Sequence, residues 1–213
     1  MKQTLIFSLL LSVLISCNSK TSEKNDILQT ENIRFEVEEE SKKEVYRNKT
    51  QDKFWQSLER LCGKSFEGKF DAENVPADFE GKALKMYVMR CGENQIKIPF
   101  YVGDDRSRTW VFTRTDIGIE LKHDHRLKDG SHDEITMYGG TTANTGLENI
   151  QFFPADQETS ELIPDASGNM WWVSVDEEEY TYNLKRVNTP NHFRVAFDLT
   201  KEIDTPKKPW GHE

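Results

Sequence analysis

Beyond its first residues, the sequence has no long apolar run. It also has no excess of basic residues and none of the common catalytic fingerprints. Of its 213 residues, 37 are acidic and 28 are basic, which gives a formal charge of −9 at pH 7. A chain of this charge lacks the electrostatic footprint of a nucleic-acid-binding protein. It contains no G-x-S-x-G elbow, P-loop or dinucleotide-binding fingerprint. The sequence therefore leaves catalysis undecided and leans against an enzyme.

The one long apolar stretch lies at the start of the chain. Residues 5–15 follow Lys2 and are apolar except for Ser8 and Ser12. A helix that spans a bilayer needs roughly 20 apolar residues, so this stretch is too short to cross comfortably. Its length is typical of a signal-peptide core.

The residues that follow, 14–17 (LISC), resemble the lipobox of bacterial lipoproteins. The resemblance implies that residues 1–16 are a signal peptide and that the chain is exported. It also implies that Cys17 carries acyl chains such as palmitate, and several such chains anchor a protein stably to a membrane. Asn18 is not the aspartate that favours retention at the inner membrane, which implies the outer membrane of a Gram-negative cell. An ordinary secreted protein is the alternative.

Cysteine is scarce, and its use agrees with export. Once Cys17 is acylated, only Cys62 and Cys91 remain. An even pair in an oxidising compartment predicts a disulfide, which would close a loop of about 30 residues and stabilise the fold by roughly 3–4 kcal/mol. Two buried free thiols are the alternative, and the spacing does not fit a zinc ribbon.

Composition divides the rest of the chain into three parts. Residues 17–50 are rich in charge and poor in apolar side chains, which predicts a lipidated, flexible tether. Residues 51–203 are predicted to form the domain, and residues 204–213 a C-terminal tail. The domain begins with an amphipathic pattern over 52–61, which predicts a short helix that plugs or covers the body.

From Lys64 onward, apolar side chains alternate with polar ones and turn residues separate the runs. The predicted strands are 65–70, 84–90, 96–102, 108–115, 117–123, 134–138, 147–153, 170–176, 180–186 and 193–199, and a helix is predicted at 157–163. One-sided burial and short links favour an antiparallel up-and-down barrel. We therefore predict an all-β, lipocalin-like barrel of about 8–10 strands with a short N-terminal helix, and a two-sheet β-sandwich as the alternative.

A dense set of polar residues carries the motifs DRSRTW, KHDHR, DG and TMYGG between Asp105 and Gly140. These motifs resemble those of uncharacterised exported bacterial proteins over residues 54–200. The resemblance implies no activity and transfers no catalytic residue.

Two histidines share one face of the strand predicted at 117–123 and its extension. His123 and His125 lie two residues apart, so both point to the same side. Such a pair can share a zinc ion or another divalent metal with a third ligand from the next turn. The third-ligand candidates are His132, Asp133 and Glu134. The alternatives are surface histidines, or histidines that hydrogen-bond an organic ligand or a buried aspartate.

Aromatic and guanidinium side chains also share a face. Arg108 and Trp110 have the same parity, which suits an anion beside an aromatic wall. Alternatively, arginine stems pack over Trp110 and pair with nearby aspartates. Trp171 and Trp172 are adjacent, so one faces inward and the other outward. The candidate ligand-binding residues are Arg106, Arg108, Trp110, His123, His125 and Tyr138.

Three functions remain open at this point. The first is a membrane-anchored lipoprotein whose barrel binds a small hydrophobic or amphipathic ligand and requires no cofactor. The second is a metal-binding protein or metal-dependent enzyme that uses His123, His125 and His132. The third is a structural or interaction lipoprotein without a ligand, for which the protein partner is unknown. In each case membrane lipid, through Cys17, is the expected attachment.

Overall fold

A computed structural model describes residues 29–31, 33–34, 49–70, 75–190 and 192–212. The chain divides into two compact units, residues 1–44 and 45–213. In the first unit the described residues are helical. The predicted signal peptide, Cys17 and most of the predicted tether lie outside the described residues. Within the described part of the chain, no helix is long and apolar enough to cross a membrane.

The second unit is built almost entirely from strands. Its helices are α1 (Lys49–Glu59) and α2 (Gln157–Leu162), with a 3-10 turn at Pro164–Ala166. Its strands are β1 (Ser65–Phe70), β2 (Leu84–Tyr87), β3 (Arg90–Cys91), β4 (Gln95–Val102), β5 (Asp105–Thr115), β6 (Gly118–His125), β7 (Tyr138–Thr141), β8 (Ile150–Pro154), β9 (Asn169–Val175), β10 (Glu179–Arg186) and β11 (His192–Glu202).

All described strands belong to one antiparallel sheet, in the order β7-β6-β5-β4-β2-β1-β11-β10-β9-β8. Apart from β3 and the two end strands β7 and β8, strands that follow one another in the chain are neighbours, and the pairing of β1 with β11 joins the two halves. The strand predicted at 84–90 forms as two short strands, β2 and β3. Both pair with β4. The up-and-down barrel is confirmed, and the two-sheet sandwich is not what forms.

The barrel nearly closes where β7 meets β8, and two glycines permit the approach. The backbone N–H of Asp156 donates to the carbonyl of Gly139 (3.0 Å), and the Thr159 hydroxyl bonds both backbone groups of Gly139. A Cβ on Gly140 would lie 1.7 Å from the carbonyl oxygen of Pro154. Side chains at these positions would therefore hold the seam apart.

The same glycines explain why one predicted strand does not form. A strand at 134–138 would end before Gly139, whereas β7 begins at Tyr138 and includes both glycines. Residue Met137 adopts φ 56°, which places the turn before the strand. The prediction of a strand at 134–138 is thus wrong because glycine here serves close backbone approach and not turning.

Helix α1 plugs one end of the barrel. Phe54, Trp55 and Leu58 are fully buried, and the Phe54 ring lies 6.4 Å from that of Phe112. At the same end Arg114 pairs with Asp52 (3.1 Å). The amphipathic helix predicted at 52–61 therefore forms, slightly earlier in the chain, and its apolar stripe becomes part of the core.

A disulfide joins Cys62, just after α1, to Cys91 in β3, with 6.2 Å between the Cα atoms. This confirms the predicted pairing. Because β3 pairs with β4, the bond links the end of the plug helix covalently to the wall of the barrel.

The C-terminal segment lies against the outside of the barrel. The backbone N–H of Trp210 donates to the carbonyl of Arg106 (3.1 Å), and the His212 ring lies 3.1 Å from the Asp124 carboxylate. The predicted tail at 204–213 is thus fastened to β5 and β6 over its described residues.

Candidate ligand-binding cavity

A cavity of about 360 Å³ occupies the end of the barrel opposite α1. Strand β5 runs from this end, at Arg108, to the plugged end, at Arg114, so the interior is open at one side and packed at the other. Most of the lining is aromatic or aliphatic. The large apolar members include Phe79, Phe100, Trp110, Trp171, Leu184 and Phe193.

Stacked aromatic rings form the floor. The Trp110 indole lies between Phe100 (centroids 4.9 Å apart) and Tyr182 (4.6 Å), with interplanar angles of 12° and 21°. All three side chains are buried. Below them Phe112 is fully enclosed, so the cavity ends at this layer.

Polar groups are concentrated on the wall formed by β6 and β7. The Nδ1 atom of His123 lies 2.9 Å from the Tyr138 carbonyl oxygen, and its Nε2 atom lies 2.7 Å from the Tyr182 hydroxyl. A carbonyl oxygen only accepts, so Nδ1 carries the proton and Nε2 accepts from Tyr182. Burial raises the pKa of Tyr182 well above its ordinary value, which keeps the donor protonated.

This wall is polar without being charged at neutral pH. Burial lowers the pKa of His123 to about 3, and burial raises the pKa of Tyr138 to about 12. Burial, followed by the positive charge of Arg108, also lowers the pKa of His125. The His125 Nε2 atom lies 3.1 Å from the Tyr138 hydroxyl, so the two histidines are joined through one tyrosine.

Five of the six predicted ligand-binding residues line the cavity. They are Arg108, Trp110, His123, His125 and Tyr138. Arg106 does not, because its guanidinium donates to the Lys208 carbonyl (2.7 Å) and lies over the Trp210 ring on the outside of the barrel.

The three predicted metal ligands are not brought together. His132 is half-exposed and lies 3.6 Å from the carboxylate of Asp124, which faces away from the interior, whereas His123 and His125 face into the cavity. Both ring nitrogens of His123 already have hydrogen-bond partners. Among the described residues, no group of three or more His, Cys, Asp or Glu side chains is arranged to hold a metal ion.

Sequence reasoning missed Arg186, Asn169 and most of the apolar wall. Arg186 could have been found, because the face that carries Tyr180, Tyr182 and Leu184 reaches it in one more step along β10. No comparable signal marks Asn169, the first residue of β9. Phe79 lies between predicted strands, so its place in the lining depends on a loop path that periodicity does not predict.

A second hollow of about 400 Å³ lies on the outside of the barrel beside Trp172, which faces away from the interior. Phe152 and Lys185 also line it, and the Trp172 indole stacks on the His192 ring at 5.1 Å. The alternation at the tryptophan pair is as predicted: Trp171 lines the inner cavity and Trp172 the outer hollow.

No family model, curated protein or solved structure matches this chain. The cavity is therefore interpreted from its own residues and their chemistry.

Proposed function

We propose that this protein is an exported, lipid-anchored binding protein whose barrel holds a small hydrophobic or amphipathic molecule. The observation that carries the proposal is the cavity of about 360 Å³ at the open end. Ligand sites commonly have volumes of roughly 300–1,000 Å³, apolar walls and a few convergent polar groups. The aromatic floor and the neutral His123–Tyr182 pair fit this description.

The cavity favours ligand binding over a purely structural role. Protein interiors are close-packed, and voids larger than a water molecule are few. Here the plugged half of the barrel obeys that rule, with Phe54 and Phe112 fully buried, whereas the other half does not. An interaction lipoprotein without a ligand has no need of an open aromatic chamber.

The anchor belongs to the same proposal and is tested separately. Acyl chains on Cys17 would hold the barrel at the membrane, and we expect labelled palmitate to be incorporated into the chain in cells. The Cys17→Ser variant should lose both the label and the membrane association. Incorporation of label into Cys17→Ser would contradict the assignment.

Ligand binding is tested with a neutral fluorescent probe, N-phenyl-1-naphthylamine. The full chain is used with Cys17→Ser, so that no acyl group competes for the probe. We expect saturable binding that Leu184→Trp abolishes, because Leu184 lines the cavity and the larger ring fills it. The matched control is Lys185→Trp, which places the same side chain on the outside of the same strand. Loss of binding in the control alone would place the probe in the outer hollow and overturn the proposal.

A further inference from the structure

The charged side chains that line the cavity are positive, although the whole chain is acidic. The protein carries a formal charge of −9, yet the charged side chains of the described lining are Arg108 and Arg186, and no carboxylate belongs to that lining. The two histidines of the lining are held neutral by burial at pH 7. The mouth therefore presents cations above an apolar chamber.

Arg186 is the cation with spare capacity. Its Nε–H donates to the side-chain oxygen of Asn169 (3.0 Å), a residue only 6% exposed that lines the same cavity. Arg186 is otherwise exposed, and this bond orients its guanidinium toward the mouth. Within the described residues no carboxylate lies within ion-pair distance of Arg186, so its remaining N–H groups are available to an anion.

Arg108 is committed elsewhere. Its guanidinium pairs with the Asp105 carboxylate and lies over the Phe79 ring at 5.6 Å from the centroid. The ion pair neutralises much of the Arg108 charge. Arg108 therefore lines the mouth but attracts an anion only weakly. The anion site therefore centres on Arg186.

The floor of the chamber bears on the shape of the ligand. Tyr182, in the floor, lies four residues from Arg186 on β10, and a strand rises about 3.4 Å per residue, so the floor lies roughly 14 Å along the strand from the backbone of Arg186. On β5, Trp110 forms the centre of the same floor. Phe112, one step further, is fully buried. The flat, stacked rings of the floor favour a ring system over an extended aliphatic chain.

We infer that the ligand is a compact aromatic or alicyclic anion whose carboxylate or similar group lies against Arg186 and whose ring body lies on the Trp110 floor. The inference rests on the proposed function, since it names the class of molecule that the same cavity takes. A guanidinium binds such an oxyanion through charge-assisted, often paired hydrogen bonds.

Two probes that differ by a single group test the inference. The anion is 8-anilino-1-naphthalenesulfonate, and N-phenyl-1-naphthylamine is the same skeleton without the sulfonate. We expect Arg186→Gln to weaken binding of the anion about tenfold, the typical loss for one hydrogen bond to a charged group, and to leave the neutral probe unchanged. Arg186→Lys should recover part of the loss.

The matched control is Lys185→Gln, which removes the same charge from the outer face of the same strand. It should leave both affinities unchanged. If both probes bind and Arg186→Gln weakens neither, the anion site is wrong while the proposed function stands. If neither probe binds the parent chain, the proposed function itself fails.

The preference for a compact ligand over an extended one is tested by displacement of the neutral probe. We expect 1-naphthoate to displace it and dodecanoate, an extended aliphatic anion, to do so at least tenfold less well. Stronger displacement by dodecanoate would overturn the compact-ligand part of the inference and leave the anion part standing.

Discussion

His123 is an imidazole held neutral inside the barrel, and this has a consequence for stability. Its folded pKa of about 3 lies below the ordinary value of 6.5 because burial penalises the charged form. Between these values the unfolded chain binds more protons than the folded one, so the free energy of unfolding falls as the solution is acidified. The His123 contribution to that loss is about 2 kcal/mol at pH 5.

We therefore expect His123→Gln to be less sensitive to this change of pH. Urea unfolding at pH 7 and pH 5 measures the difference, and the variant should lose about 2 kcal/mol less than the parent chain between the two. Carboxyl groups whose pKa is lowered by folding affect stability only below about pH 4, so they do not change the comparison between pH 7 and pH 5. His132→Gln, which removes a half-exposed imidazole, serves as the control. Equal pH slopes in the parent chain and His123→Gln would show that His123 is not buried in its neutral form.

Asp124 is a buried carboxylate that connects the end of β6 to the C-terminal segment. Arg126 binds both of its oxygens (2.8 and 3.1 Å), and the His212 ring of the C-terminal segment lies 3.1 Å away. Burial alone would raise the pKa of Asp124, but the nearby His212 ring and the hydrogen bonds from Arg126 outweigh it and hold that pKa well below the ordinary range. The carboxylate is thus charged at neutral pH.

We expect Asp124→Asn to lower the free energy of unfolding by about 2–3 kcal/mol at pH 7, because the Arg126 charge loses its partner. The same change should release the C-terminal segment to proteolysis. Asp198→Asn breaks an exposed pair with Lys201 and should change stability little. Denaturant titration compares the two, and similar small effects would show that the Asp124 cluster does not hold the tail.

For individual residues, the sequence predicts which side chains share a face of a strand, but not which groups they contact. Period-two spacing placed His123 beside His125 and Arg108 beside Trp110, as the structure has them. The partner of each group depends on strands far along the chain, such as Tyr182 for His123. No local pattern contains that information, and for this reason the expected convergence of His132 is not observed.

Among the elements, the seam between β7 and β8 depends most on one residue type. The Cβ of an alanine at Gly140 would overlap the Pro154 carbonyl, and a backbone atom cannot move aside as a flexible side chain can. We expect Gly140→Ala to cost about 3 kcal/mol or to open the seam. Gly92→Ala is the control, since its nearest neighbour would be the Gln95 carbonyl at 3.5 Å, and it should change stability by less than about 0.5 kcal/mol. Thermal or denaturant unfolding that ranks the two equally would contradict this account of closure.

Most strands were predicted from alternation because each has one face on the interior. The strand predicted at 65–70 forms with the same bounds, and the one predicted at 180–186 differs by a single residue. Two predicted strands differ from the structure. Close backbone approach places Gly139 and Gly140 inside β7, and residues 147–149 of the strand predicted at 147–153 precede β8, which begins at Ile150. Glycine signals both turns and close approach, and only the fold distinguishes the two.

For the whole molecule, the barrel was predictable and the cavity was not. Alternation, short links and the amphipathic segment together indicate a plugged meander. The volume left inside depends on how far the core fills the barrel: Phe112 and Phe153 pack the end near α1, while Phe79 and Phe193 only line the other end. That balance is set by the paths of loops and by side-chain packing across the barrel, neither of which follows from periodicity.

The central claim is that a ligand enters the open end and lies on the tryptophan floor. The most direct test is to record the indole N–H signals of the full Cys17→Ser chain by NMR during titration with N-phenyl-1-naphthylamine. We expect the signals of Trp110 and Trp171 to shift and those of Trp172 and Trp210 to stay in place. Shifts confined to Trp172, or no shift at saturating probe, would contradict it.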